Sequence, residues 1–131
     1  MADISKDARS FALLGYEYNK KDDYDRAIEA FDNAIRLSAN MDDKVFFAEL
    51  YFQRGWAYSM KHDDDRSIEN FDKVIRLNPN HAKAYCLRGE AYGVKGKLDN
   101  AASDLEAALR IDPNLYQARD LLQKVRRVRG Y

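Results

Sequence analysis

A chain of 131 residues with 46% apolar and 34% charged side chains has the length of one domain and the apolar material for a core, which excludes a disordered polyelectrolyte. Its 22 basic and 22 acidic residues cancel, so no net field draws it to nucleic acid or an anionic membrane. One cysteine, Cys86, excludes an internal disulfide, and with two histidines, His62 and His81, no metal-ligand spacing occurs.

Apolar residues recur three and four apart along the whole chain, which predicts helices. Phe11, Leu14 and Tyr18, with Ala8 and Gly15, make one stripe of a first helix from Asp7 to Lys20. Asp22 and Asp23 suit a turn and an N-cap, because their carboxylates accept bonds from free amides at a helix start. Tyr24, Ala27, Ile28, Phe31, Ala34 and Ile35 mark a second helix that stops near Ser38. Asp42 or Asp43 caps a third, whose stripe includes Phe47, Leu50, Tyr51, Ala57 and Tyr58; Lys61 to Asp65 reads as a turn. A fourth helix carries Ile68, Phe71, Val74, Ile75 and Leu77 and ends at Asn78, since the residue before Pro79 is pushed out of helical geometry. The fifth runs from about His81 to Lys95, Gly96 makes its turn, and the sixth carries Leu98, Ala101, Leu105, Ala108 and Ile111 before Pro113. A seventh, from Leu115 to Val128, ends at Gly130.

The chain repeats itself. Asp63 to Leu77 matches Asp23 to Leu37, forty positions earlier, in Asp, Asp, Arg, Ile, Glu, Phe, Asp, Ile, Arg and Leu. Tyr51, Arg54, Gly55, Tyr58, Ser67, Phe71 and Pro79 return 34 positions later as Tyr85, Arg88, Gly89, Tyr92, Ala101, Leu105 and Pro113. Phe11, Leu14, Gly15, Tyr18, Ala27 and Phe31 form an earlier copy, with Ala39 at the proline position. Glycines at equivalent places suit helices that cross closely; Ala27, Ser67 and Ala101 are small for the same reason. Arg54 and Arg88 stand where the first copy has Leu14, with their stems expected to pack and their guanidinium groups in water.

This spacing resembles the tetratricopeptide repeat family. The resemblance implies an all-α, right-handed superhelical solenoid forming a single domain over residues 1–131. Its parts are repeats at about 8–41, 48–81 and 82–115, an insertion at about 42–47, and a seventh, capping helix at about 116–129. The insertion either lengthens the loop and the third helix, with Val45, Phe46 and Phe47 covering a neighbouring pair, or leaves Val45 and Phe46 as an exposed patch. The family lines a concave groove with the first helix of each pair and binds peptides or partner helices there. Carried onto this sequence, the groove positions are Arg9, Ala12, Leu13, Tyr16 and Asn19; Glu49, Phe52, Gln53, Trp56 and Ser59; and Lys83, Cys86, Leu87, Glu90 and Gly93. Asp120 and Lys124 of the last helix extend them. Phe52 and Trp56, four apart, share a face distinct from the Tyr51 and Tyr58 stripe, and either anchor a ligand or pack against the fifth helix.

One branch of the family clamps the C-terminal carboxylate of heat-shock chaperones with lysine, asparagine and arginine. Here Ala12, Tyr16, Gln53 and Leu87 fill four of those positions and only Lys83 matches, so a co-chaperone-type binder is not expected. Neither histidine has a nucleophile or carboxylate at triad spacing, Asp63 to Asp65 lacks the calcium-loop pattern, and no phosphate loop occurs, so no catalysis, metal or cofactor is expected. Met1 to Ser10 carries four charges and lacks the apolar segment of a secretory signal, and a lone cysteine fits a reducing compartment; the expected location is cytoplasmic. The function read from the sequence is a scaffold or adaptor for a protein or peptide partner. The alternative is a self-associating module, a homo-oligomer joined through the acidic first half, net −5, and the basic last helix of a second half that is net +5, or through Val45 and Phe46. The basic cluster Lys124, Arg126, Arg127 and Arg129 has no aromatic platform beside it, which argues against nucleic acid.

Overall fold

In the computed structural model, residues 2–39 and 42–130 are described, with side chains from residue 6 onward. Among them are seven helices and no strand: α1 (Ala2–Lys20), α2 (Tyr24–Leu37), α3 (Lys44–Met60), α4 (Asp64–Leu77), α5 (Ala82–Val94), α6 (Leu98–Ile111) and α7 (Tyr116–Arg129). The first helix starts at Ala2 rather than Asp7, because nothing in residues 2–6 breaks a helix once the buried stripe has nucleated it. The acidic caps act as the sequence suggests. Asp23, Asp43 and Asp63 accept from the amides of Arg26, Phe46 and Arg66, and His81 takes the same place on α5 through Nδ1, 3.1 Å from the Ala84 amide. Asp63 is therefore a cap, while Asp64 and Asp65 lie in the first turn of α4 instead of a turn region.

Each helix pair turns in the same way. Asp22, His62 and Gly96 adopt left-handed φ values of 60°, 64° and 78°, and the next residue donates its amide to the Tyr18, Tyr58 or Tyr92 carbonyl at 2.9 Å. Only the third turn uses the residue that adopts this geometry without strain. Within each pair the helices approach at the glycines. A Cβ on Gly15 would sit 2.6 Å from the Phe31 ring, one on Gly55 2.9 Å from Phe71, and one on Gly89 3.0 Å from Leu105. Ala27, Ser67 and Ala101 are fully buried opposite. Gln123, at the corresponding place on α7, is exposed, because no second helix packs on the cap.

Consecutive helices pack in chain order, and α1 also meets α3, as α5 meets α7; no comparable contact among the described residues joins α3 to α5, α2 to α4 or α4 to α6. The first helices therefore lie on the inside of the curve. The core runs through in three clusters, centred on Phe31 and Leu50, on Phe71 and Val74, and on Leu105 and Leu122. Phe46 and Phe47 of the lengthened α3 pack on the first cluster, whereas Val45 is 82% exposed.

The arginines depart from expectation. Arg54 and Arg88 do not hold their charge in water; their side chains are 17% and 19% exposed. Arg54 donates to Asp32 of the preceding pair and to Asn70 of its own, both at 2.8 Å. Arg88 donates to Asp72 of the preceding pair at 2.8 Å and grips both oxygens of Asp104 at 2.8 and 2.7 Å. The repeat thus replaces an apolar contact with a charged bolt between neighbouring pairs, and a bidentate carboxylate is the geometry guanidinium satisfies best. A second, exposed ladder pairs Asp25 with Lys61, Asp65 with Lys95, and Asp99 with Arg129.

Candidate functional site

The inner face opens into a recess of about 480 Å³ between α1 and α3, lined by Tyr16, Asn19, Lys20, Glu49, Phe52, Gln53 and Trp56. Helical spacing builds it, since Tyr16 and Lys20, and Glu49, Gln53 and Trp56, recur three or four apart on facing helices. Phe52 is held from behind, 4.8 Å from the stacked His81 ring and 5.8 Å from Phe71. Trp56 stands 36% exposed. One aromatic of the pair is thus a packed wall and the other is open to the groove.

A chain of amides crosses the floor. Asn19 Nδ2 donates to both the Gln53 main-chain carbonyl and Gln53 Oε1 at 3.2 Å, and Gln53 Nε2 donates to Glu49 Oε1 at 3.1 Å. The order is fixed by the Gln53 carbonyl, which only a donor can approach. Asn19 is 8% exposed, and its Oδ1 is the buried side-chain atom left without a hydrogen-bond partner among the described residues. Burial, and then the negative charge of Glu49, push the Tyr16 phenol up to about 12. Burial also lowers the His81 imidazole below its ordinary value, keeping it neutral at pH 7.

The other groove positions separate into surface and floor. Arg9, Leu13, Lys83 and the partly exposed Ser59, Glu90 and Gly93 remain accessible. Ala12, Cys86 and Leu87 are buried in the core clusters, where a helix lying against its neighbour turns those positions inward. Burial, then Glu90, push the Cys86 thiol up to about 11, so it is a packing group at neutral pH. Lys20 lines the recess although the pattern of five positions per repeat passed over it; it lies four residues after Tyr16, and Met60 and Val94 occupy the same exposed place in the later repeats.

A second recess of about 290 Å³ lies between α5, α6 and α7, where Gly93, Val94, Leu98, Leu121 and Val128 surround Glu90 and Lys124. Burial first, then Asp64, raise the Glu90 carboxyl above its usual range against the opposing effect of Lys124. Among the described residues no group of His, Cys, Asp and Glu is arranged to hold a metal ion, and no helix is long and apolar enough to cross a membrane.

Three tetratricopeptide repeat profiles match residues 8–41, 48–81 and 82–115. A search of curated protein sequences gave no match. Among solved structures, the first repeat domain of Spaghetti (RPAP3) bound to the HSP90 peptide SRMEEVD is 27% identical, with a TM-score of 0.85 over 97% of this chain and 96% of that one. The second repeat domain of human RPAP3, in complex with the HSP70 peptide SGPTIEEVD, is 29% identical, with a TM-score of 0.82 over 94% and 98%. The APC/C hetero-tetramer Cut9-Hcn1 matches at 27% identity and a TM-score of 0.86, over 91% of this chain but 23% of that one. With three profiles over residues 8–115 and a solenoid of helix pairs beneath them, the chain belongs to the tetratricopeptide repeat family.

Proposed function

We propose that this chain is a protein-interaction scaffold that holds an extended segment of a partner along its inner face, with the recess between α1 and α3 as the anchor. One observation carries the reading: Trp56, a large aromatic, is left open beside Tyr16 and a braced Phe52 in a recess of about 480 Å³. Rings held in this way supply contact area at little conformational cost, as binding hot spots do. Peptide complexes of structures with the same fold support it. The chaperone-tail clamp is not part of the proposal, because Tyr16 and Gln53 stand where that clamp uses asparagine, and Ala12 and Leu87 are buried.

Repeats at 8–41, 48–81 and 82–115, an insertion at 42–47 and a cap at 116–129 are the division we adopt for the single unit. A cytoplasmic location fits the free, buried Cys86. The role as adaptor is tested by selecting ligands from a displayed random-peptide library on the folded chain. Selected peptides should lose at least about ten-fold in affinity against Trp56→Ala, and less against Phe52→Ala, with helical circular dichroism unchanged. Unchanged affinity for both folded variants would place the binding surface elsewhere.

A further inference from the structure

The recess between α1 and α3 carries an unbalanced charge. Glu49 accepts one hydrogen bond, from Gln53, and no cation among the described residues pairs with it. Lys20, on the same rim, has a 74% exposed side chain that lies 3.6 Å from Glu17, so its charge is spent on Glu17 and solvent. Burial lowers the His81 imidazole behind Phe52 below its ordinary value against the opposing effect of Glu49, which disfavours the cation there, and Lys83, which follows Glu49 by one repeat, lies outside the lining.

Two further groups have the same sign of preference. Asn19 lines the recess, and its buried Oδ1, in a residue 8% exposed, is the negative end of an amide dipole with no hydrogen-bond partner among the described residues. Such an atom costs stability unless something compensates it, which makes it a candidate for a binding role. Tyr16 and Trp56 line the same space, and aromatic rings attract cations to their faces. A carboxylate, an amide oxygen and aromatic rings in one recess repel an acidic residue and favour a hydrogen-bond donor with positive charge.

We propose that this recess takes the ammonium or guanidinium end of a lysine or arginine side chain from the bound segment. The proposal rests on the groove reading above. It assigns that groove a polarity opposite to the EEVD peptides held by the similar structures. The donor pairs with the free oxygen of Glu49, the stem lies along Phe52 and Trp56, and the Asn19 oxygen faces the charge. Lys20 marks the entrance, and its removal takes away a charge of the same sign as the incoming cation.

The chain holds a single tryptophan, so Trp56 fluorescence reports the recess directly. The probes are the library-selected peptides, acetylated and amidated to remove terminal charge, each resynthesised with every lysine or arginine replaced by glutamine. One basic residue per peptide should prove essential, its replacement weakening binding and the Trp56 response by about ten-fold. Glu49→Gln should abolish that difference, Lys20→Ala should keep or enlarge it, and raising salt from about 0.05 to 0.5 M should shrink it. Peptides that need Trp56 but bind equally as glutamine versions, or that carry an essential acidic residue, would overturn the cation assignment and leave the groove reading intact. Peptides indifferent to both Trp56→Ala and Glu49→Gln would remove the groove reading and the assignment together.

Discussion

The recess between α1 and α3 and the recess beside α5 and α7 occupy equivalent places in the solenoid two repeats apart, yet their linings differ. Asn19, Lys20, Gln53 and Trp56 of the first correspond to Gly93, Val94, Leu121 and Lys124 of the second. The repeated positions, glycine crossings and capped turns make the hole in both cases; the residues between them decide what it can hold. The junctions differ in the same direction. Arg54 meets an exposed aspartate and the neutral Asn70, while Arg88 lies between Asp72 and an Asp104 that is 6% exposed. The Arg54 bolt joins the same two pairs that enclose the first recess, whereas the Arg88 bolt joins the second pair to the third, one junction before the second recess.

The largest effect expected from this contrast is on stability. Arg88→Met leaves the Asp104 carboxylate buried without its partner, and breaking such a pair costs about 3–5 kcal/mol. Arg54→Met leaves Asp32 in water, and Asn70 keeps its bond to the Arg66 carbonyl at 2.8 Å, so about 1–2 kcal/mol is expected. Urea unfolding of the two variants measures the difference. Equal losses would mean that the second carboxylate adds nothing and that the junctions are interchangeable.

The sequence shows the stack more fully than the site. Gly15, Gly55, Gly89 and the tyrosines three residues after them recur because each pair solves one packing problem, and such constraints leave a period in the residues. The charged bolts were hidden for the opposite reason. An arginine at a leucine position reads as a snorkelling side chain, and its partners lie 16 and 22 residues away at Arg54 and 16 on either side at Arg88, where no local period connects them. The same limit acts in the groove. A pattern of positions places Phe52, Trp56 and Tyr16 on the inner side, but it cannot tell that Ala12, Cys86 and Leu87 rotate into the core, nor that Lys20 completes the rim.

The middle of the groove separates the two recesses, and Cys86 tests whether it is closed. Cys86 follows Phe52 by one repeat but is 1% exposed, with its thiol pushed up to about 11 by burial and then by Glu90. At pH 8 a shift of this size leaves about 100-fold less thiolate than an ordinary cysteine has, and burial slows access further. Alkylation by iodoacetamide should therefore be at least about 100-fold slower than for a free thiol and reach the free rate in denaturant. A rate near that of free cysteine would join the recesses into one open channel.

The smallest effect expected is the most diagnostic of the first recess. Asn19 makes two hydrogen bonds, yet Asn19→Leu should change stability by no more than about 1 kcal/mol. Removing the side chain leaves nothing stranded. The Gln53 main-chain carbonyl is in a helical position, and Gln53 Oε1 belongs to a partly exposed side chain that water can reach. The same change deletes the buried Oδ1 that has no partner, and relief of about 1–3 kcal/mol offsets the bonds lost. Gly93 and Leu121, at the equivalent places two repeats on, show that the fold accepts an apolar wall there. A loss above about 2 kcal/mol in urea would make the Asn19 amide a structural tie. A near-neutral change with lower affinity for basic peptides would identify it as a group kept for binding, carried by the fold at the expense of its own stability.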